Sequence, residues 1–236
     1  MRDVSQTNRP VTETQMSSPA KPVRKTNRSS RGVRGLVPSM GHYESALERD
    51  MMELIRFDRR VGSFTAQPLT ISYSSIDGKA CSYTPDGLIT FVDQSIGGAP
   101  ILYEIKYRED FRGNWRVLMP KFRAAKKYCA EVGWRFHVYT ENEVRTPYLA
   151  NTKFLWPFIG RSVDLAICSI LLDSVLRLGM ATPEILLREA LALKYDTGRV
   201  IPVLWHLIAV GRIGCDLQEK LTLSSRVWSA EEIHLE

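Results

Sequence analysis

Cysteine is scarce in this chain of 236 residues: only Cys81, Cys129, Cys168 and Cys215 occur, and no two form a C-x-x-C pair. That spacing argues against a zinc knuckle or a dithiol redox centre and suits small buried hydrophobes in a reducing compartment. Histidine is equally sparse, and His42, His137, His206 and His234 are too dispersed to suggest a ligand set. No apolar run approaches the roughly 18 residues of a membrane span, and the N-terminus lacks the apolar segment of a secretory signal. Internal repeats are absent.

Net charge is missing from most of the chain. Residues 41–236 hold 24 basic and 24 acidic side chains, whereas residues 1–40 hold eight Lys/Arg against Asp3 and Glu13, a net of +6. This first segment is poor in large apolar residues and rich in Ser, Thr, Asn and Pro, which reads as a disordered basic tail over 1–40. Such a tail either eases approach to phosphate by counterion release or serves solubility and localisation. The remainder can bury a core, since 44% of the whole chain is hydrophobic.

Against this background two apolar, strand-like segments carry charges that packing does not require. They are Tyr83-Thr-Pro85-Asp86-Gly87-Leu-Ile89 and Ile101-Leu-Tyr103-Glu104-Ile105-Lys106-Tyr107. Residues 93–100 between them are rich in turn formers. A hairpin centred near residue 96 sets Asp86 opposite Lys106, and residue 88 opposite Glu104. Residues two apart share a strand face, so Glu104 and Lys106 project together with Asp86 across from them. The alternative is an ion pair on a solvated strand face. Upstream, Leu47, Met51, Leu54 and Ile55 have helical spacing, which predicts a helix over 43–57 with Glu44, Glu48 and Arg56 on a neighbouring polar stripe. Glu48 is a candidate third carboxylate. Taken alone, it reads more readily as a helix-surface charge than as a ligand.

Pro85-Asp86, a gap of seventeen residues and Glu104-Ile105-Lys106 have the layout of the PD-(D/E)xK nucleases. The wider pattern resembles the N-terminal domain of TnsA-type transposon endonucleases. It runs through Glu44 to Asp58, Val61, Phe64, Gln67-Pro68, the motif just quoted, Lys121-Phe122, Ala124-Ala125, Gly133-Trp-Arg-Phe136 and Tyr139-Thr-Glu141. The likeness spans about residues 42–155, and Gly87 departs from it, standing where the family often has a large apolar residue. The resemblance implies a restriction-endonuclease-like core with a mixed β-sheet over 41–158. It implies Mg²⁺, with Mn²⁺ as a substitute, held by Glu48, Asp86, Glu104 and the carbonyl of Ile105, with Lys106 beside the attacking water. It also implies cutting of transposon 5′ ends in double-stranded DNA, alongside a DDE-type transposase and an ATP-dependent regulator, in a bacterial cytoplasm at the nucleoid. CRISPR-guided and protein-guided target selection both stay open. A stand-alone restriction or repair nuclease of the same fold is the rival reading. A non-enzymatic DNA-binding scaffold is a second, against which the intact Asp86, Glu104 and Lys106 argue.

The coarse pattern predicts strands near 68–74, 80–91, 100–107 and 134–140, and helices over 117–132 and 147–156. Lys121–Lys127 reads either as a phosphate track or as the solvated face of its helix. Gln67 either orients a group of the site or makes a strand-start hydrogen bond. Arg145 is either structural or DNA-facing. From residue 159 the pattern changes. A helix over 163–178 stops at Gly179, Thr182-Pro183 opens a second, and 197–210 reads as a third. Two short strands follow. This describes a small winged-helix-like domain, and its apolar third helix favours docking of a partner protein over reading of bases.

Overall fold

The computed structural model describes residues 34–230. The first elements are a small antiparallel hairpin, β1 (Gly35–Val37) and β2 (Gly41–Tyr43). Val37 and Met40 are buried in the same cluster as Leu47 and Met51. Composition assigned this stretch to the tail up to residue 40; two apolar side chains are enough to fold its last part onto the domain. The tail up to residue 33 lies outside the described residues.

Helix α1 (Ala46–Phe57) begins later than the periodicity suggested, because Ser45 is its N-cap. Leu47, Met51 and Ile55 recur one turn apart and are buried. Strand β3 (Val61–Ala66) follows, then a separate hairpin of β4 (Ile71–Ser74) and β5 (Ala80–Tyr83). The single strand expected over 80–91 is broken at Thr84-Pro85-Asp86, since proline has no N–H for a ladder. The chain re-enters the main sheet as β6 (Gly87–Phe91), passes the one-turn α2 (Gln94–Gly97) and returns as β7 (Ile101–Ile105). A long helix, α3 (Arg108–Glu131), then crosses to β8 (Arg135–Tyr139). The sequence pattern missed the first nine residues of α3. Gly113 and Asn114 are poor helix formers, and Pro120 sits inside the helix without breaking it.

The main sheet has the order β3-β6-β7-β8, antiparallel except for the β7–β8 pair. Tyr103 and Ile105 of β7 pack with Met51 and Ile55 of α1 on one face. Leu102 packs with Leu118 and Phe122 of α3 on the other. Strand β7 is thus covered on both sides, as a strand followed by a crossover helix and a parallel partner must be.

Three glycines sit directly across a strand pair from an aromatic residue: Gly35 from Tyr43, Gly87 from Tyr103 and Gly214 from Trp228. At Gly87 a Cβ would lie 2.6 Å from the Tyr103 ring. The family's large side chain after the aspartate is therefore replaced here by a ring that lies over the glycine from the opposite strand. Gly87→Ala is expected to lower stability by about 1–3 kcal/mol through this overlap, measured by urea unfolding with fluorescence detection.

After β8 come α4 (Glu141–Val144) and α5 (Pro147–Ile159). Then follow α6 (Leu165–Leu178), β9 (Met180–Ala181), α7 (Pro183–Ala192), α8 (Thr197–Ala209), β10 (Ile213–Cys215) and β11 (Val227–Ser229). The last three strands form one small antiparallel sheet, β10-β11-β9. Gly179 ends α6 with φ of 68°, and the Thr182 side chain caps α7, as the sequence indicated. Helix α5 belongs to both halves. Asn151 donates to the carbonyls of Leu217 and Glu219 at 2.8 and 2.7 Å, while Lys153 reaches Asp50 of α1 at 2.6 Å. Phe57, at the end of α1, lies in the C-terminal core. The division placed at 158/159 is therefore bridged by shared packing.

Candidate active site

The β6–β7 register pairs Gly87 with Tyr103 and Leu88 with Leu102, which sets residue 86 level with residue 104. This is a two-residue slip from the expected hairpin, caused by α2 in the connection. A slip of two preserves parity, so the side chains keep their faces. The Asp86 amide donates to the Tyr103 carbonyl at 3.1 Å, and Asp86 Oδ2 accepts the amide of Ile105 at 2.7 Å. These bonds fix the carboxylate beside the end of β7. Lys106 Nζ lies 2.9 Å from Glu104 Oε1 and also donates to the Ile105 carbonyl at 3.0 Å. The convergence of Asp86, Glu104 and Lys106 expected from spacing is present, and Ile105 joins it through its backbone.

Two groups at this cluster were not foreseen. Lys121 of α3 reaches Glu104 Oε1 at 3.0 Å, and the Tyr83 hydroxyl donates to Glu104 Oε2 at 2.8 Å. The sequence had grouped Lys121 with Lys127 as one basic run. Lys121 instead turns into the cleft, while Arg123, Lys126 and Lys127 face solvent.

Glu48 lines the same cavity of about 410 Å³ as Asp86, Glu104, Lys106 and Lys121. Its carboxylate also braces the start of α1: Oε2 accepts the Glu44 amide at 2.8 Å, and Oε1 accepts the Ser45 hydroxyl at 2.9 Å. Ser45-Ala-Leu-Glu48 has the sequence pattern of a capping box, but the glutamate reaches the amide of Glu44 rather than that of the N-cap. Glu44 itself precedes the helix rather than sharing its polar stripe.

The electrostatics show a surplus of negative charge. Burial pushes the Asp86 carboxyl well above the usual carboxylate range, and the neighbouring Glu104 adds to this while Lys106 opposes it. Burial also raises Glu48, against hydrogen bonds from the Glu44 amide and Ser45. For Lys106, burial favours loss of the proton, but Asp86, Glu104 and Glu48 outweigh it and hold the pKa above the ordinary lysine value. Tyr83 is raised by burial and by the charge of Glu104, so it remains a donor.

Gln67 has φ of 46°, a left-handed conformation unfavourable for a residue with a side chain. Its amide donates to the Asp86 carbonyl at 3.0 Å, so the strained residue helps seat the loop that carries Asp86. Its Oε1 is buried without a hydrogen-bond partner among the described residues. Arg145 is structural: its Nε donates to buried Asp50 at 2.9 Å, where Lys153 and Arg49 also converge, tying α4 and α5 to α1.

Among the described residues, no three His, Cys, Asp or Glu side chains stand close enough to form a metal-binding group. Two ammoniums do the neutralising at Glu104. The donors nonetheless suit a hard divalent cation. They are oxygen atoms only, and the uncompensated charge at Asp86 is the kind that a bound cation relieves.

A mixed sheet with Asp86, Glu104 and Lys106 gathered at one end, between helices on both faces, is compatible with a nuclease-type α/β domain. Residues 58–141 match the family model described as TnsA-like endonuclease N terminal. Over that segment the chain is similar to the TnsA-like endonuclease N-terminal domain; the matched segment contains Asp86, Glu104, Ile105, Lys106 and Lys121 and begins ten residues after Glu48. No curated protein matches the chain significantly. No helix among the described residues is long and apolar enough to cross a membrane.

Proposed function

We propose that this chain is the metal-dependent endonuclease subunit of a heteromeric transposase, cutting the 5′ ends of its element in duplex DNA. A DDE-type transposase and an ATP-dependent regulator act with it. The observation that carries this reading is the convergence of Asp86, Glu104 and Lys106 inside the segment that matches the TnsA-like family. Asp86, Glu104 and the Ile105 carbonyl, with Glu48 from α1, are the groups that would hold Mg²⁺ or Mn²⁺. When bound, the metal supplies Lewis acidity and an activated water. Lys106 keeps its proton and presents a positive charge where negative charge builds on the phosphate.

The C-terminal unit, with three helices and a three-stranded sheet, is read as a winged-helix-like docking module. Its third helix, α8, is unsuited to reading bases. Val200, Val203, Leu204, Trp205, Leu207 and Ile208 are buried in its own core. Arg199, the cation in its first turn, is paired with Asp164 at 2.6 Å. Base recognition in the major groove relies on free Arg, Lys, Asn or Gln side chains. Exposed Leu165, Met180 and Leu193 suit a protein partner instead.

The test uses labelled duplexes carrying the ends of the element, with Mg²⁺ or with chelator, with and without the partner subunits. Mg²⁺-dependent 5′-strand cleavage in the assembled complex is expected. Efficient cleavage by this chain alone supports a stand-alone nuclease, and no cleavage by the complete complex removes the reading.

A further inference from the structure

Lys121 has no part in the mechanism above, yet it makes as close a contact with the cleft as Lys106 does. Glu104 is 2% exposed, and its carboxylate is engaged through both oxygens. Oε1 faces the ammoniums of Lys106 at 2.9 Å and Lys121 at 3.0 Å, and Oε2 accepts the Tyr83 hydroxyl at 2.8 Å. The Lys121 ammonium also lies 4.6 Å from the centre of the Tyr83 ring. Charge-assisted contacts of this kind are among the stronger hydrogen bonds and hold the carboxylate in place. Any cation approaching Oε1 meets two positive charges already there.

The charge count makes this contact consequential. With Glu44, Glu48, Asp86 and Glu104 ionised against Lys106 and Lys121, the side chains lining the cleft carry a net of −2. Without Lys121 they carry −3, a stronger attraction for a dication. A DNA phosphate entering the cleft adds negative charge and offers a lysine ammonium an oxygen other than Glu104 Oε1. Lys121 stands on a long, flexible stem, and its side chain is 17% exposed within the cavity wall.

Resting on the nuclease reading above, we propose that Lys121 is a positioning residue that makes metal loading depend on DNA. It holds Glu104 engaged in the free protein and transfers to a substrate phosphate when DNA binds, which releases the carboxylate to the cation. The device restrains the subunit from loading metal before its substrate is in place.

The experiment is Mn²⁺ binding by the purified full chain, followed by calorimetry and by the electron spin resonance of free Mn²⁺. Wild type, Lys121→Met, Lys121→Arg and Asp86→Asn are compared, with and without a duplex. Lys121→Met is expected to bind Mn²⁺ about tenfold more tightly than wild type without DNA. That is the factor Coulomb's law gives for removing one positive charge about 6 Å from a dication, even at the dielectric of water. Lys121→Arg keeps the charge and is expected to resemble wild type. Duplex is expected to strengthen Mn²⁺ binding by wild type severalfold more than by Lys121→Met. Equal or weaker Mn²⁺ binding by a folded Lys121→Met, or an equal effect of duplex on both proteins, overturns the proposal. Lys121→Gln, judged by the same criteria, replaces Lys121→Met if the latter fails to fold by circular dichroism. If wild type binds no Mn²⁺ in a manner that Asp86→Asn abolishes, the metal-nuclease reading itself falls, a result distinct from failure of the Lys121 device alone.

Discussion

Asp86→Asn is expected to reduce 5′-strand cleavage by about a thousandfold or more, since it removes the charge of a central metal ligand in a phosphodiester hydrolase. The same substitution is expected to raise the stability of the protein at neutral pH. Burial, reinforced by the charge of Glu104, lifts the folded-state pKa of Asp86 above its unfolded value of 3.8. A carboxyl shifted upward binds more protons folded than unfolded, so its charged form burdens the native state. The burden is fully present above the folded pKa, shrinks as pH falls through it, and vanishes below the unfolded pKa. The stability advantage of Asp86→Asn should follow that course. Thermal unfolding across a pH series, beside cleavage of end-labelled DNA in the assembled complex, checks both halves. Near-normal cleavage by Asp86→Asn sinks the mechanism. Loss of both cleavage and stability would mean that Asp86 is a structural residue of the β6–β7 junction.

Deleting residues 1–33 is expected to weaken DNA association strongly at low salt while leaving cleavage at saturating protein intact. The deleted segment holds seven Lys/Arg against Asp3 and Glu13, a net of +5, whereas residues 41–236 are neutral overall. If all five net charges replace counterions, the salt dependence of log K flattens by up to about 4.5, near 0.9 per phosphate contact. Between 50 and 200 mM salt, the full chain then loses up to about 500-fold more affinity than the truncated one. Fluorescence anisotropy titrations at several salt concentrations measure this. Identical slopes for the two forms would leave the segment as a solubility or localisation element. The deletion stops before β1, because Val37 and Met40 belong to the folded core.

Sequence alone determined a good deal about this protein. The short apolar run Ile101–Ile105 after a turn-rich stretch, and helical spacing through Leu47, Met51 and Ile55, marked a strand and a helix that exist, because such local patterns follow from backbone geometry. The spacing of Asp86, Glu104 and Lys106 placed them together, and a register error of two residues did no harm because strand faces repeat every two. Gly179 and Thr182 marked helix ends through local hydrogen bonding and a left-handed turn. Tertiary structure alone decided what depends on partners distant in the chain. It separated Lys121 from its basic neighbours by turning that one position of α3 toward Glu104, seventeen residues earlier. It made Arg145 a strut by burying Asp50, ninety-five residues away. It also made Gly87 a residue of the core, since the ring that covers it comes from the opposite strand. Periodicity reports which way a side chain faces from its own backbone; only the packed chain determines what it meets there.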